Sequence, residues 1–201
     1  MAACLAVIRY AHPAAERAPL KLPGGVRMAV WIIVNVEEWD AREPMPRTVL
    51  TPPADGSPMP DIPNWAWHEY GNRVGFWRFV EVFDALSVPV VLAINGSALA
   101  AYPAIVRAAL ERDWEFIGHG FTQRNMQKVK DERADIRKTR EVIADATGKP
   151  PGGWLGPGLT ETWETPDLLV GLRRRLGARR SAALAQDQKQ AAPQFALHAG
   201  M

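Results

Sequence analysis

Two short stretches hold residues whose types suit proton transfer. In MAVWIIVNVEEWD, Met28–Asp40, the acids Glu37, Glu38 and Asp40 follow directly on an uncharged, β-branched run, Ala29 to Val34. In HGFTQ, His119–Gln123, an imidazole stands between Gly118 and Gly120. Carboxylates and imidazoles are the usual movers of protons near neutral pH. A continuous apolar run of this kind reads as a strand buried on both faces, as parallel sheets use. Polar groups just past the C-terminal end of such a strand sit on the rim where open α/β sheets and (β/α) barrels place active sites. Solvated loop acids would give the first pattern equally well, and a satisfied core histidine the second. Both readings stay open for the acids; the strand-end position between glycines favours a site for His119.

The elements that must position these groups alternate. Gly24-Gly25 turns into the first strand. After Asp40 comes a long excursion, 41–64, with Pro44, Pro46, Pro52, Pro53, Pro58, Pro60 and Pro63. That is too proline-rich for a helix or inner strand, and it leaves from the acid cluster, so it reads as a loop covering the site. Phe76, Phe79, Val80, Phe83 and Leu86 then follow helical spacing as a core-facing stripe. Val90–Ile94 reads as a second buried strand ending at Asn95-Gly96. Pro103 opens a helix with Ile105, Val106 and Leu110 inward. Trp114–Ile117 is a third strand, residues 127–146 a charged helix over Val129, Ile136 and Ile143 with Gly148 as its C-cap, and Gly153–Leu155 a short fourth strand ending at Gly156-Pro157. Thr165-Pro166-Asp167 starts another helix. Strand and helix alternating in this way predict an α/β fold with a parallel sheet whose polar strand ends share one rim.

With these motifs in place, the chain from about Tyr10 to Leu169 resembles the polysaccharide deacetylase family, of the carbohydrate esterase family 4 type. Within it the chain looks most like the cytoplasmic subgroup of peptidoglycan-deacetylase-like enzymes and a cofactor-independent allantoinase. The segment EYGNRVGFWR, Glu69–Arg78, is similar to that subgroup's YG-x-R-x-G-x-W-R signature, and HGFTQ falls where the family has H-x-x-x-H. The resemblance implies a distorted (β/α) barrel, incomplete at its C-terminal end, that hydrolyses non-peptide carbon–nitrogen bonds. It implies an N-acetylated sugar or a small amide as substrate, with allantoinase-like ring opening or a truncated, non-catalytic member as alternatives. By position Glu37 resembles the general base, and Glu38, His119 and Gln123 resemble the ligands of a divalent metal such as zinc. A metal there would polarise the carbonyl and acidify water. The departures are that both acids are glutamates where the family has aspartates, and that Gln123 replaces the second histidine. Zinc in catalytic sites has three protein ligands, and a neutral amide is a poor one. Metal-independent hydrolysis is the other expectation, with His119 or Glu37 moving the proton directly. Trp39, Tyr70 and Arg73 would line the substrate cleft, although each can also be read as a packing residue. Trp77 reads as core and His68 as a loop residue.

Composition narrows the classes further. The single cysteine, Cys4, excludes an internal disulfide and a multi-cysteine metal site, and fits a cytoplasmic protein. No apolar run approaches the roughly 20 residues of a transmembrane helix, and no basic residue precedes the short apolar patch at the N-terminus. Residues 1–171 hold 18 basic and 21 acidic side chains, whereas 172–201 hold six basic and one acidic. The basic pI therefore comes from the tail, and the body offers no electrostatic reason for nucleic acid or a membrane as partner. The expected organisation is a lead-in, 1–27, a deacetylase-like domain, 28–171, and a non-homologous basic tail, 172–201. The change of charge coincides with the loss of resemblance, as a frameshift would produce; reading the gene in its other frames tests that. A barrel short of its last strands would expose an edge open to self-association.

Overall fold

The computed structural model describes residues 14–16, 18, 19, 21–51, 56 and 59–172. Cys4, His12, Pro52, Pro53, Pro58, His198 and the basic tail from 173 onward lie outside the described residues. The chain divides into two compact units, Met1–Thr165 and Pro166–Met201. In the second, the described residues 166–172 are helical, continuing the helix that the Thr165-Pro166-Asp167 start predicts.

The first unit is built on β1 (Ile32–Val36), β2 (Val90–Ile94) and β3 (Glu115–Gly118), all parallel, in the order β1-β2-β3. Val90, Leu92 and Ile94 face one side of the sheet and Val91 and Ala93 the other, and both sides are covered. The larger cluster gathers Phe76, Val80, Ile105, Val106, Phe116 and Ile143. Leu92 is fully buried, and burial of such a side chain contributes about 1.5–3 kcal/mol. Helices α2 (Phe76–Leu86), α4 (Pro103–Glu111) and α5 (Glu132–Thr147) alternate with the strands, and a short α3 (Ala98–Ala101) precedes α4.

Several expectations need correction. The described residues form a three-stranded parallel sheet, and a barrel is not shown among them. The predicted fourth strand shrinks to a single bridge, Gly118 to Trp154, with the Leu155 amide donating to the Gly118 carbonyl at 2.9 Å. The first strand begins at Ile32, and Met28, Val30 and Trp31 are exposed. Among the described residues β1 is the edge of the sheet, so its apolar run is half-buried, not buried on both faces. Helix α1 (Ile62–Tyr70) begins within the last three residues of the 41–64 stretch read as proline-rich loop. Pro63 lies in its first turn, where a missing N–H costs nothing, and Asp61 caps it by accepting from the Asn64 amide at 3.2 Å. A wide π-turn, Gly71–Gly75, joins α1 to α2 without a break. Along α2, Phe76 and Val80 are buried but Phe79, Leu86 and Trp77 are exposed, so the stripe is narrower than its spacing suggests. Helix α5 starts at Glu132, capped by Asp131, and ends at Gly148 with φ 74°; Val129 precedes it in a turn. 

Candidate functional site

The rim at the C-terminal ends of the strands is knitted together beyond the regular ladder. The Asn95 amide donates to the Val36 carbonyl (3.1 Å) and the His119 amide to the Ile94 carbonyl (3.0 Å). Residues just past β1, β2 and β3 are thereby held side by side. The glycines flanking His119 permit close approach from the far side. A Cβ on Gly118 would lie 2.6 Å from the Trp154 ring, and one on Gly120 2.5 Å from Pro157; Gly120 also has φ 75°.

His119 is buried, and its two ring nitrogens are both engaged. Nδ1 lies 2.7 Å from the Leu155 carbonyl oxygen and Nε2 lies 3.3 Å from Glu37 Oε1. A carbonyl only accepts, so Nδ1 carries a proton. A carboxylate also only accepts, so a hydrogen bond between Nε2 and Oε1 places a proton between the two atoms. The other carboxylate oxygen, Oε2, accepts from the Trp39 indole N–H at 2.7 Å. Burial pushes the Glu37 carboxyl up, but the hydrogen bonds from His119 and Trp39 outweigh it and hold the group below the ordinary glutamate value. Glu37 is therefore an ionised carboxylate beside a proton.

Trp39 is 6% exposed, stacked on the His68 ring at 4.4 Å, and its carbonyl accepts from the Trp65 indole at 3.1 Å. This places it behind Glu37 as a hydrogen-bond donor, not as an open stacking wall. His68 belongs to α1, not to a loop, and it is buried. Its Nδ1 has no hydrogen-bond partner and lies 3.9 Å from Glu69 Oε1, while the ring bonds the Glu37 backbone. Burial is the main cause that pulls the His68 imidazole down. Asp40, the third acid of the opening stretch, is held by Arg42 through two side-chain bonds of 2.8 and 2.6 Å, which push its carboxyl down to about 2. It fills the solvated-loop reading.

The remaining predicted residues separate. Tyr70 is 52% exposed, with Arg78 5.9 Å over its ring. Arg73 is bonded to Glu69 at 2.6 Å. Glu69 also accepts from the Tyr102 hydroxyl. Burial pushes the Glu69 carboxyl up, and the bonds from Tyr102 and Arg73 more than reverse that. Burial, then Glu69, push the Tyr102 hydroxyl up. The structure thus brings Glu37, Glu38, Trp39, His119 and Gln123 together and leaves Tyr70 and Arg73 on a neighbouring helical surface.

The donor set does not fit a catalytic zinc. His119 uses both nitrogens, and the Gln123 side-chain oxygen accepts from Asn95 Nδ2 at 3.0 Å. Among the described residues, no group of three histidine, cysteine or carboxylate side chains could hold a metal ion. Glu38 is half-buried, and its amide donates to Asn95 Oδ1 at 3.0 Å.

Sequence reasoning missed three residues at this rim. Asn95 is fully buried and also donates to the His119 carbonyl. Asn72, in the π-turn, donates to the Glu37 carbonyl at 2.8 Å. His68 stacks on Trp39 and bonds the Glu37 backbone. A polar residue closing a wholly buried strand was the available signal for Asn95.

Comparisons with known proteins bear on the family and the fold. Residues 67–177, more than half of the chain, match the profile of the family described as Polysaccharide deacetylase. A Schizosaccharomyces pombe protein assigned to the polysaccharide deacetylases is 28% identical over 145 residues, 66% of this chain and 45% of that protein. The crystal structure of Puue allantoinase superposes with a TM-score of 0.66 at 24% identity, covering 78% of this chain and 55% of the other. A Pseudomonas aeruginosa structure of the polysaccharide deacetylase type gives 0.65 at 24% identity with the same coverage. These two likenesses speak for the fold. The chain spans about half the length of the relatives it matches.

Proposed function

We propose a function from one premise: this chain belongs to the polysaccharide deacetylase family. It is a hydrolase of non-peptide carbon–nitrogen bonds that removes the acetyl group of an N-acetylated sugar or cleaves a small amide. The observation that carries the reading is the Glu37–His119 pair, two proton carriers 3.3 Å apart on the rim of a parallel sheet.

Glu37 is the base. It takes a proton from water as the water oxygen attacks the carbonyl carbon, and a tetrahedral oxyanion forms. His119 holds a proton on Nε2 and delivers it to the nitrogen as the carbon–nitrogen bond breaks. The products are a carboxylic acid and an amine, and the pair ends with the protons it began with. Leu155, by accepting from Nδ1, keeps the imidazole oriented so that Nε2 faces the reaction. Trp39 keeps Oε2 occupied and leaves Oε1 towards the histidine. Each step uses side chains of this chain, in keeping with the donor set described above.

Turnover on a panel comprising a chito-oligosaccharide, simple acetamides and a cyclic ureide, with and without added zinc, tests the proposal. Release of acetate from the sugar or acetamides supports deacetylation. Consumption of the ureide alone supports ring opening. Absence of turnover on every compound overturns the enzymatic reading.

A further inference from the structure

The peptide joining Glu37 to Glu38 is gripped at both polar ends by asparagines from elements far apart in the chain. Its N–H donates to Asn95 Oδ1 at 3.0 Å, and its carbonyl accepts from Asn72 Nδ2 at 2.8 Å. Both asparagines are buried. We infer that Asn72 and Asn95 form a two-sided clamp that sets the direction in which Glu37 leaves the backbone, and so positions the base; this rests on Glu37 being the base. A peptide just past a strand end ordinarily gives its N–H and carbonyl to water and turns freely. Here neither is left to solvent, and the orientation is fixed by rigid neighbours.

The choice of amides is chemically specific. A side-chain amide offers an acceptor and two donor hydrogens without charge. Asn95 spends its acceptor on Glu38 and its donors on the His119 carbonyl and Gln123 Oε1. One side chain thus registers the base's peptide against the histidine's loop. Asn72 stands in the π-turn Gly71–Gly75, where the extra residue re-aims a side chain, and it also bonds the Tyr102 hydroxyl that binds Glu69. An aspartate at either place would bring a buried charge, and at Asn72 it would set a carboxylate against a carbonyl oxygen.

Amide hydrogen exchange and kinetics on the full chain test the clamp together. In the wild type the Glu38 amide should exchange roughly 100-fold more slowly than the amides of 41–45, although both follow the strand. Asn95→Leu should abolish that protection. Asn72→Leu should lower kcat by roughly 10- to 100-fold with KM within about twofold, the signature of a misplaced base. The double variant should lose no more than the worse single, because both hold one peptide. Multiplying losses, an unchanged kcat in Asn72→Leu, or a wild-type Glu38 amide exchanging as fast as 41–45 would overturn the clamp. Should Asn95→Leu not fold, the wild-type exchange and Asn72→Leu decide. If the wild type turns over none of the panel, the proposed function falls, and the exchange measurement judges the clamp alone.

Discussion

At Glu37, two hydrogen bonds overcome burial. The carboxyl sits in surroundings that would by themselves favour its neutral form, and His119 and Trp39 reverse that preference. Trp39→Phe keeps the stack on His68 and removes the indole N–H. The Glu37 carboxyl then rises, and the acid limb of the kcat/KM profile moves to higher pH; a pH–rate profile that does not move would show that Trp39 only packs. Glu37 and His119 were legible as separate candidates because acids and histidines at strand ends announce themselves by type; that they face each other was not. Asn72 was not legible, and Asn95 was marked only by its place at the end of a wholly buried strand. Neutral amides have no periodicity and no charge, and their value arises only when distant backbone groups arrive beside them. Tyr70 ends α1 and is exposed, whereas Asn72, two residues on in the π-turn, is buried.

The elements explain why the histidine loop is tight. Gly120 adopts φ 75° against Pro157, and Gly118 lies under the Trp154 ring. Gly120→Ala should therefore cost about 1–3 kcal/mol from the left-handed conformation, and more through the clash, whereas Gly148→Ala, with open space around it, should cost only the conformational part. Chemical denaturation of the two variants compares them. Among the strands, β2 was readable from its apolar run because it is central and covered on both faces. The run before β1 misled because an edge strand buries only part of its side chains, and nothing in a single sequence states which strand lies at the edge. Helix α1 was hidden by Pro63, since the same residue that forbids a helix interior is welcome in a first turn.

For the whole molecule, the alternation of strands and helices sufficed for a parallel α/β fold, while a barrel is not shown among the described residues. The family match ends at residue 177 and the chain spans about half of its relatives, so the rim described here is the part built from β1 to β3. Among the described residues, no helix is long and apolar enough to cross a membrane. The titration of the fold follows from its carboxylates. Glu37 and Glu69 lie below their ordinary values in the folded state, so their contribution is full above the unfolded carboxylate range and is lost as pH falls through the folded values. Burial raises Asp135, which acts with the opposite sign. Asp40 and Asp84, lowered by their arginine partners, act with Glu37 and Glu69. With four groups against one, the melting temperature should fall on acidification, and Glu69→Gln should flatten that fall. A Glu69→Gln melting profile with the wild-type slope would remove Glu69 from this account.

The central claim is that Glu37 moves the proton of the attacking water. It is tested most directly by Glu37→Gln, which keeps the side-chain length and an oxygen for the Trp39 indole while removing the base. Measured on whichever compound of the panel the wild type consumes, with circular dichroism matching the wild type, kcat should fall by at least roughly 100-fold, in the range expected for losing a general base. A folded Glu37→Gln protein that retains more than about half of the wild-type kcat would contradict the account.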